Sequence, residues 1–255
     1  MHGQGSQQEW EQLPSSAEAG AAQQRALNVS AGPADPDLIP LLNEDLVLAL
    51  LNRRDLPAET LEELSQNPAA MKSRKVCVAL AAHPRTPRHL VLRLLRQLYT
   101  FDLMRLALHP AFAADLKRLA DDQLVARIAS VTLGERLTLA RRGSQTVAAV
   151  LLLDKEARVS HTALENSRLT ESAVIKALLR PNARAAFVEA VCHHPKWSVR
   201  REIRLTLLRS PHTPLASALE FARTIPPPLL RDVLHASRLP QKIKTYLRNT
   251  LKEKI

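Results

Sequence analysis

Leu207-Leu208-Arg209-Ser210-Pro211-His212-Thr213-Pro214 leads directly into a second apolar run at 215–221. An apolar helical segment meets a corner of Ser, Pro, His and Thr, and a second apolar segment follows. The same phrase stands at Leu80-Ala81-Ala82-His83-Pro84-Arg85-Thr86-Pro87, ahead of the run at 89–95. Looser copies begin at Leu106, Leu139, Leu164 and Leu234, with corners at His109, Arg142, Asn166 and Ala236. A unit that recurs every few tens of residues cannot bury its own apolar face and has to stack on its neighbours. The expected fold is therefore all-α: a right-handed superhelical α-solenoid of short, degenerate helix-pair repeats.

The rest of the composition agrees. Of 255 residues 45% are hydrophobic and only 3% aromatic, so the core has to be built from Leu, Ala, Val and Ile. Six glycines leave few hairpin turns, and no stretch alternates apolar with polar residues for long. Apolar spacing fits helices: Val199, Ile203 and Leu207 fall at i, i+4, i+8, as do Ile243, Leu247 and Leu251, while Leu90/Leu94 and Val91/Leu95 make two adjacent columns. Roughly 14–16 short helices are expected by this periodicity. The last of them, about 239–253, reads as a capping helix.

Helix starts carry recognisable chemistry. Asn67-Pro68, Thr86-Pro87 and Thr213-Pro214 each place a capping side chain before a proline at the first helical position, and Ser144 and Thr170 are further caps. The register is irregular: 26 residues separate His83 from His109, 33 separate His109 from Arg142, and 24 separate Arg142 from Asn166. His194 lies only 16 residues before Ser210, too few for a helix pair, so it is read as the opposite corner of a pair.

Charge is distributed unevenly along the chain. The formal net charge is +11, yet residues 1–50 hold one basic residue, Arg25, and seven acidic ones. That leaves 35 of the 36 basic and 18 of the 25 acidic residues in 51–255, a balance of +17. Residues 1–38, polar and acidic, are expected to be a disordered arm, with 39–255 forming the solenoid. The arm is expected to fold over the basic body and compete with an anionic partner. Cys77 and Cys192 sit in apolar runs and read as packing residues rather than a disulfide framework. The N-terminus lacks the pattern of a signal peptide, and the longest apolar stretch, 147–153, is far short of the ~18 residues that span a bilayer. The expected location is cytoplasmic.

The residues Ser198-Val199-Arg200-Arg201-Glu202-Ile203 followed by the 207–214 phrase resemble one unit of the bacterial leucine-rich-repeat-variant family, within the broader HEAT-like and armadillo-type α-solenoids. The stretch from Ser73-Arg74-Lys75-Val76 to Thr86-Pro87 resembles a second unit. The resemblance implies a helical superhelix and a surface for partners. The founding type of that family has an N-terminal cysteine cluster for an iron–sulfur centre; no cysteine precedes Cys77 here, so that cofactor is not carried over and no cofactor or metal is expected.

Catalytic patterns are weak. The His-Pro corners at His83, His109 and His194, with His193 beside the last, would lie about 10 Å apart in a stack, too far for metal ligands at about 2 Å. There is no Gly-rich phosphate loop and no Gly-x-Ser-x-Gly, and the adjacent pairs Glu62-Glu63 and Asp121-Asp122 diverge on a helix. No enzyme activity is expected. The basic columns are the functional candidates: Lys196, Arg200 and Arg204 at i, i+4, i+8 with Arg201 and Trp197 flanking, and Lys244, Arg248 and Lys252 at the same spacing. Such columns track an acidic peptide or a phosphate backbone. The competing structural role is that Arg200 or Arg204 braces its own repeat, and that Trp197 plugs a repeat junction rather than stacking on a base. The expected function is a non-catalytic protein-interaction scaffold binding a protein or acidic peptide on its concave face. The alternative is nucleic-acid backbone binding through the basic columns, as HEAT-like DNA glycosylases hold DNA in a basic groove.

Overall fold

The computed structural model describes residues 44–252. The expected arm at 1–38 and the last three residues lie outside the described residues. Among the described residues there are sixteen helices and no strand. The chain divides into two units, one ending at Leu98 and one beginning at Tyr99.

The first unit holds α1 (Glu44–Leu51), α2 (Ala58–Gln66), α3 (Pro68–Lys72), α4 (Arg74–Ala82) and α5 (Arg88–Gln97). Here α1 packs on α4 across two intervening helices. The reason lies at Asn67-Pro68: Asn67 caps α3 by accepting the Ala69 and Ala70 N–H groups at 2.9 and 3.3 Å, and Pro68 follows as a first-turn residue. What would be one longer helix is thereby split into α2 and α3. Leu90, Val91, Leu94 and Leu95 are all buried, so both columns of α5 face apolar surroundings.

The second unit holds α6 (Thr100–Leu108), α7 (Ala114–Arg127), α8 (Leu133–Arg142), α9 (Gln145–Leu151), α10 (Ala157–Leu164), α11 (Glu171–Leu178), α12 (Ala185–His193), α13 (Arg201–Leu207), α14 (Leu215–Arg223), α15 (Pro227–Ala236) and α16 (Gln241–Lys252). Its helices pack against those one or two places along the chain. One run is α7, α9, α11 and α13; the other is α8, α10 and α12. His194 follows α12 of one run and Ser210 follows α13 of the other, which is why so few residues separate these corners.

Two local expectations are corrected. Thr86 and Thr213 do not cap the following helices, and Thr170 holds the N-cap position of α11 without a side-chain capping bond. Pro87 and Pro214 take the N-cap positions, and each preceding threonine hydroxyl turns back to donate to the last turn of the helix before it, Thr86 to the Leu80 carbonyl (2.6 Å) and Thr213 to that of Leu207 (2.5 Å). The orphan carbonyl at a buried helix end competes successfully for the hydroxyl. Second, α13 begins only at Arg201. Val199 precedes it, 60% exposed, and does not share the buried stripe of Ile203 and Leu207.

Candidate partner-binding surface

The corners are where polar side chains are spent. His83 is buried, and its Nε2 lies 2.8 Å from the Arg53 carbonyl while its Nδ1 accepts the Arg85 N–H at 3.2 Å. A carbonyl only accepts and a backbone N–H only donates, so the ring is held as the neutral Nε2–H tautomer. Asn166, 1% exposed, does the same with an amide. Its Nδ2 donates to the carbonyls of Ala140 (2.8 Å) and Gly143 (3.2 Å), and its Oδ1 accepts the Arg168 N–H at 2.8 Å. Ser237 repeats the arrangement with a hydroxyl, donating to Leu208 (2.7 Å) and accepting the Leu239 N–H (3.0 Å). Each of these three corners thus closes its own turn and satisfies a carbonyl 23–30 residues earlier.

Arginines reinforce these joints. Arg85 and Arg168, each two residues past its corner residue, donate to the carbonyls of Asp55 (3.0 Å) and Arg142 (3.3 Å). Arg184 reaches the Lys155 carbonyl at 2.8 Å. The ion pair of Arg136 with Asp154, at 3.0 Å, has both side chains largely shielded from solvent, and Asp154 also accepts the Glu156 N–H.

The residues of the first basic column are not one helical column. Residues 195–199 form a turn, so Lys196 and Arg200 precede α13. The cause is Trp197, which is 2% exposed and donates its Nε1–H to the Leu164 carbonyl at 2.9 Å, at the end of α10. Trp197 fills a junction between corners, and Lys196 lies over its ring, 4.2 Å from the centroid. Arg204 is a brace: Nε donates to the Ser198 carbonyl (2.6 Å), Nη1 to Thr224 (3.2 Å), and the guanidinium lies 5.5 Å from the Phe221 ring centre. Lys244 donates to the Ser237 carbonyl. Arg200, Arg201 and Arg248 are exposed to solvent, while Lys252 lies in α16 with its side chain outside the described residues.

Three exposed arginines belong with this surface and escape a reading by helical columns: Arg141, Arg142 and Arg168. The signal that locates them is the corner itself. Asn166 and Arg168 bond directly to the 140–143 corner, and Trp197 bonds to the end of the helix that leads into Asn166. The corners at 141–143, 166–168 and 194–201 are therefore consecutive neighbours along one edge of the second unit.

Other chemistry on this unit is subdued. Burial holds the His194 imidazole below its usual range, with Glu165 opposing that shift and Lys196 and His161 adding to it. Its Nδ1 accepts the Lys196 N–H at 3.1 Å. Burial pushes the Cys192 thiol up to about 11, the reverse of a reactive thiolate. Asp121 is raised by burial and held by the Ser144 hydroxyl at 2.7 Å. Among the described residues no three His, Cys, Asp or Glu side chains group closely enough to hold a metal ion, and no helix is long and apolar enough to cross a membrane. Compared with known proteins, the chain matches no family model, no curated protein and no solved structure.

Proposed function

We propose that the chain is a non-catalytic α-solenoid scaffold of the leucine-rich-repeat-variant or HEAT-like kind, working in the cytoplasm as a protein-binding adaptor. The observation that carries this reading is the repeated corner. His83, Asn166 and Ser237 perform one bifunctional task with three side chains, joining each corner to an earlier one. Polar groups used in this way build a surface rather than a reaction centre, and stacked helical arrays present extended surfaces to partners. A protein partner is favoured over a nucleic acid because Trp197 is buried as a junction plug and is not offered for base stacking.

The test is a purified partner retained from the protein's own cell extract, titrated calorimetrically beside a DNA duplex across a salt series. The expected result is a saturable, stoichiometric protein complex that persists at near-physiological salt, with duplex binding weak and falling steeply as salt rises. Tight duplex binding at near-physiological salt overturns the reading.

A further inference from the structure

We infer that the edge formed by the three consecutive corners of the second unit is a docking strip for an acidic peptide segment of a partner protein, carrying an apolar residue that seats against Val199. The inference rests on the scaffold reading and names the part of the scaffold that does the binding.

The argument begins with placement. Arg141 and Arg142 end α8, Arg168 follows Asn166, and Lys196, Arg200 and Arg201 surround the start of α13; all six are exposed. Arg168 donates to the Arg142 carbonyl, and Trp197 donates to the Leu164 carbonyl, so the three groups are contiguous through direct bonds. The ion pairs Arg53–Asp55, Lys75–Glu44, His89–Glu62 and Arg136–Asp154 involve none of the six. With packed helices about 8–10 Å apart, three corners cover roughly 16–20 Å, the length of about five or six extended residues.

The class of ligand follows from what interrupts the cations. Glu165 and Glu202 are exposed on this edge and Glu171 is half-buried. A polyanionic backbone running the length of the strip passes these carboxylates at two of the three corners, whereas a peptide of mixed composition places its acids only opposite the arginines. Val199, 60% exposed between Lys196 and Arg200, is an apolar spot inside the cationic strip. Arginines at the ends of the strip supply bidentate carboxylate contacts, and the valine supplies the apolar anchor that gives register.

The experiment uses the full chain and fluorescence anisotropy at near-physiological salt. The probes are two fluorescein-labelled peptides of Glu and Asp residues with one Leu near the N-terminal or the C-terminal end, because Val199 stands in the last of the three corners. The edge variant combines Arg142→Gln, Lys196→Gln, Arg200→Gln and Arg201→Gln. The control variant removes the same charge elsewhere, through Arg223→Gln, Arg231→Gln, Arg238→Gln and Lys242→Gln, all exposed positions. Circular dichroism checks both; if the edge variant does not fold, the single Arg200→Gln and Arg201→Gln chains at the solvent-facing start of α13 replace it. The expected result is a loss of about tenfold or more in the edge variant, about twofold or less in the control, and a further few-fold loss for Val199→Ser. Equal losses in both variants, or none in either, overturn the inference. A DNA duplex that displaces the peptide at equal charge overturns both the inference and the scaffold reading. If neither peptide binds while a purified protein partner still does, the docking strip falls and the scaffold reading stands.

Discussion

His83 in the first unit and Asn166 in the second stand at the same place in a corner and make the same two hydrogen bonds with different chemistry. The imidazole divides donor and acceptor between two ring nitrogens, and the amide divides them between nitrogen and oxygen. Ser237 manages with one hydroxyl. The position demands a side chain that donates to an earlier corner and accepts the N–H two residues on; it does not demand a residue type. That tolerance lets three corners of dissimilar sequence be built alike.

Removing the device tests the comparison most severely. Asn166→Ala leaves two buried carbonyls and the Arg168 N–H without their partner and should cost about 2–4 kcal/mol in urea unfolding. His83→Ala should cost about 2–3 kcal/mol, while His83→Asn should recover more than half of that if the donor–acceptor pair is what matters. Equal losses for Ala and Asn at His83 would break the equivalence of the two corners.

Gly143→Ala probes the receiving side of the Asn166 corner. Its φ of −64° is ordinary, but an added Cβ would collide with the Leu139 carbonyl oxygen, a backbone atom that cannot swing aside. The expected cost is about 1–3 kcal/mol, read from the urea midpoint. The paired threonines give a smaller effect: Thr86→Val and Thr213→Val should each lose about 1 kcal/mol, because each deletes one donor to a helix-end carbonyl. Unequal losses would show that the two corners differ in how well water replaces the hydroxyl.

The smallest effect is a pH dependence at His194. Burial lowers its folded-state pKa below the ordinary 6.5, so the folded chain binds fewer protons than the unfolded one. Its stabilising share is full above pH 6.5 and declines as pH falls from there toward the lowered folded value. The urea midpoint of the native chain should drop slightly over that window, and His194→Asn should flatten the slope by removing the titration while keeping an acceptor for the Lys196 N–H. An unchanged slope would place the dependence in other groups.

Much of this was legible along the chain. The recurring corners, the expected 14–16 helices against the sixteen described, the caps at Asn67 and Ser144 and the buried columns of α5 all follow from local chemistry that acts within one turn of helix. The basic column at Lys196, Arg200 and Arg204 did not follow. Helical spacing alone makes it plausible, but Trp197 reaches back 33 residues to the Leu164 carbonyl and holds 195–199 as a turn. Separations of 26 and 18 residues likewise hide Arg168 beside Arg142 and the pairing of Arg136 with Asp154.

By itself, then, the amino-acid sequence determined that this chain is helical, where its helices stop and which residue types stand at the corners. Periodicity, proline and capping side chains act over a few residues and leave a local signature. Tertiary structure alone decided which corner each side chain bonds, which arginines are braces and which remain open to solvent. Those outcomes depend on carbonyls and hydroxyls that packing brings close from 20 to 30 residues away, and no local pattern encodes that proximity.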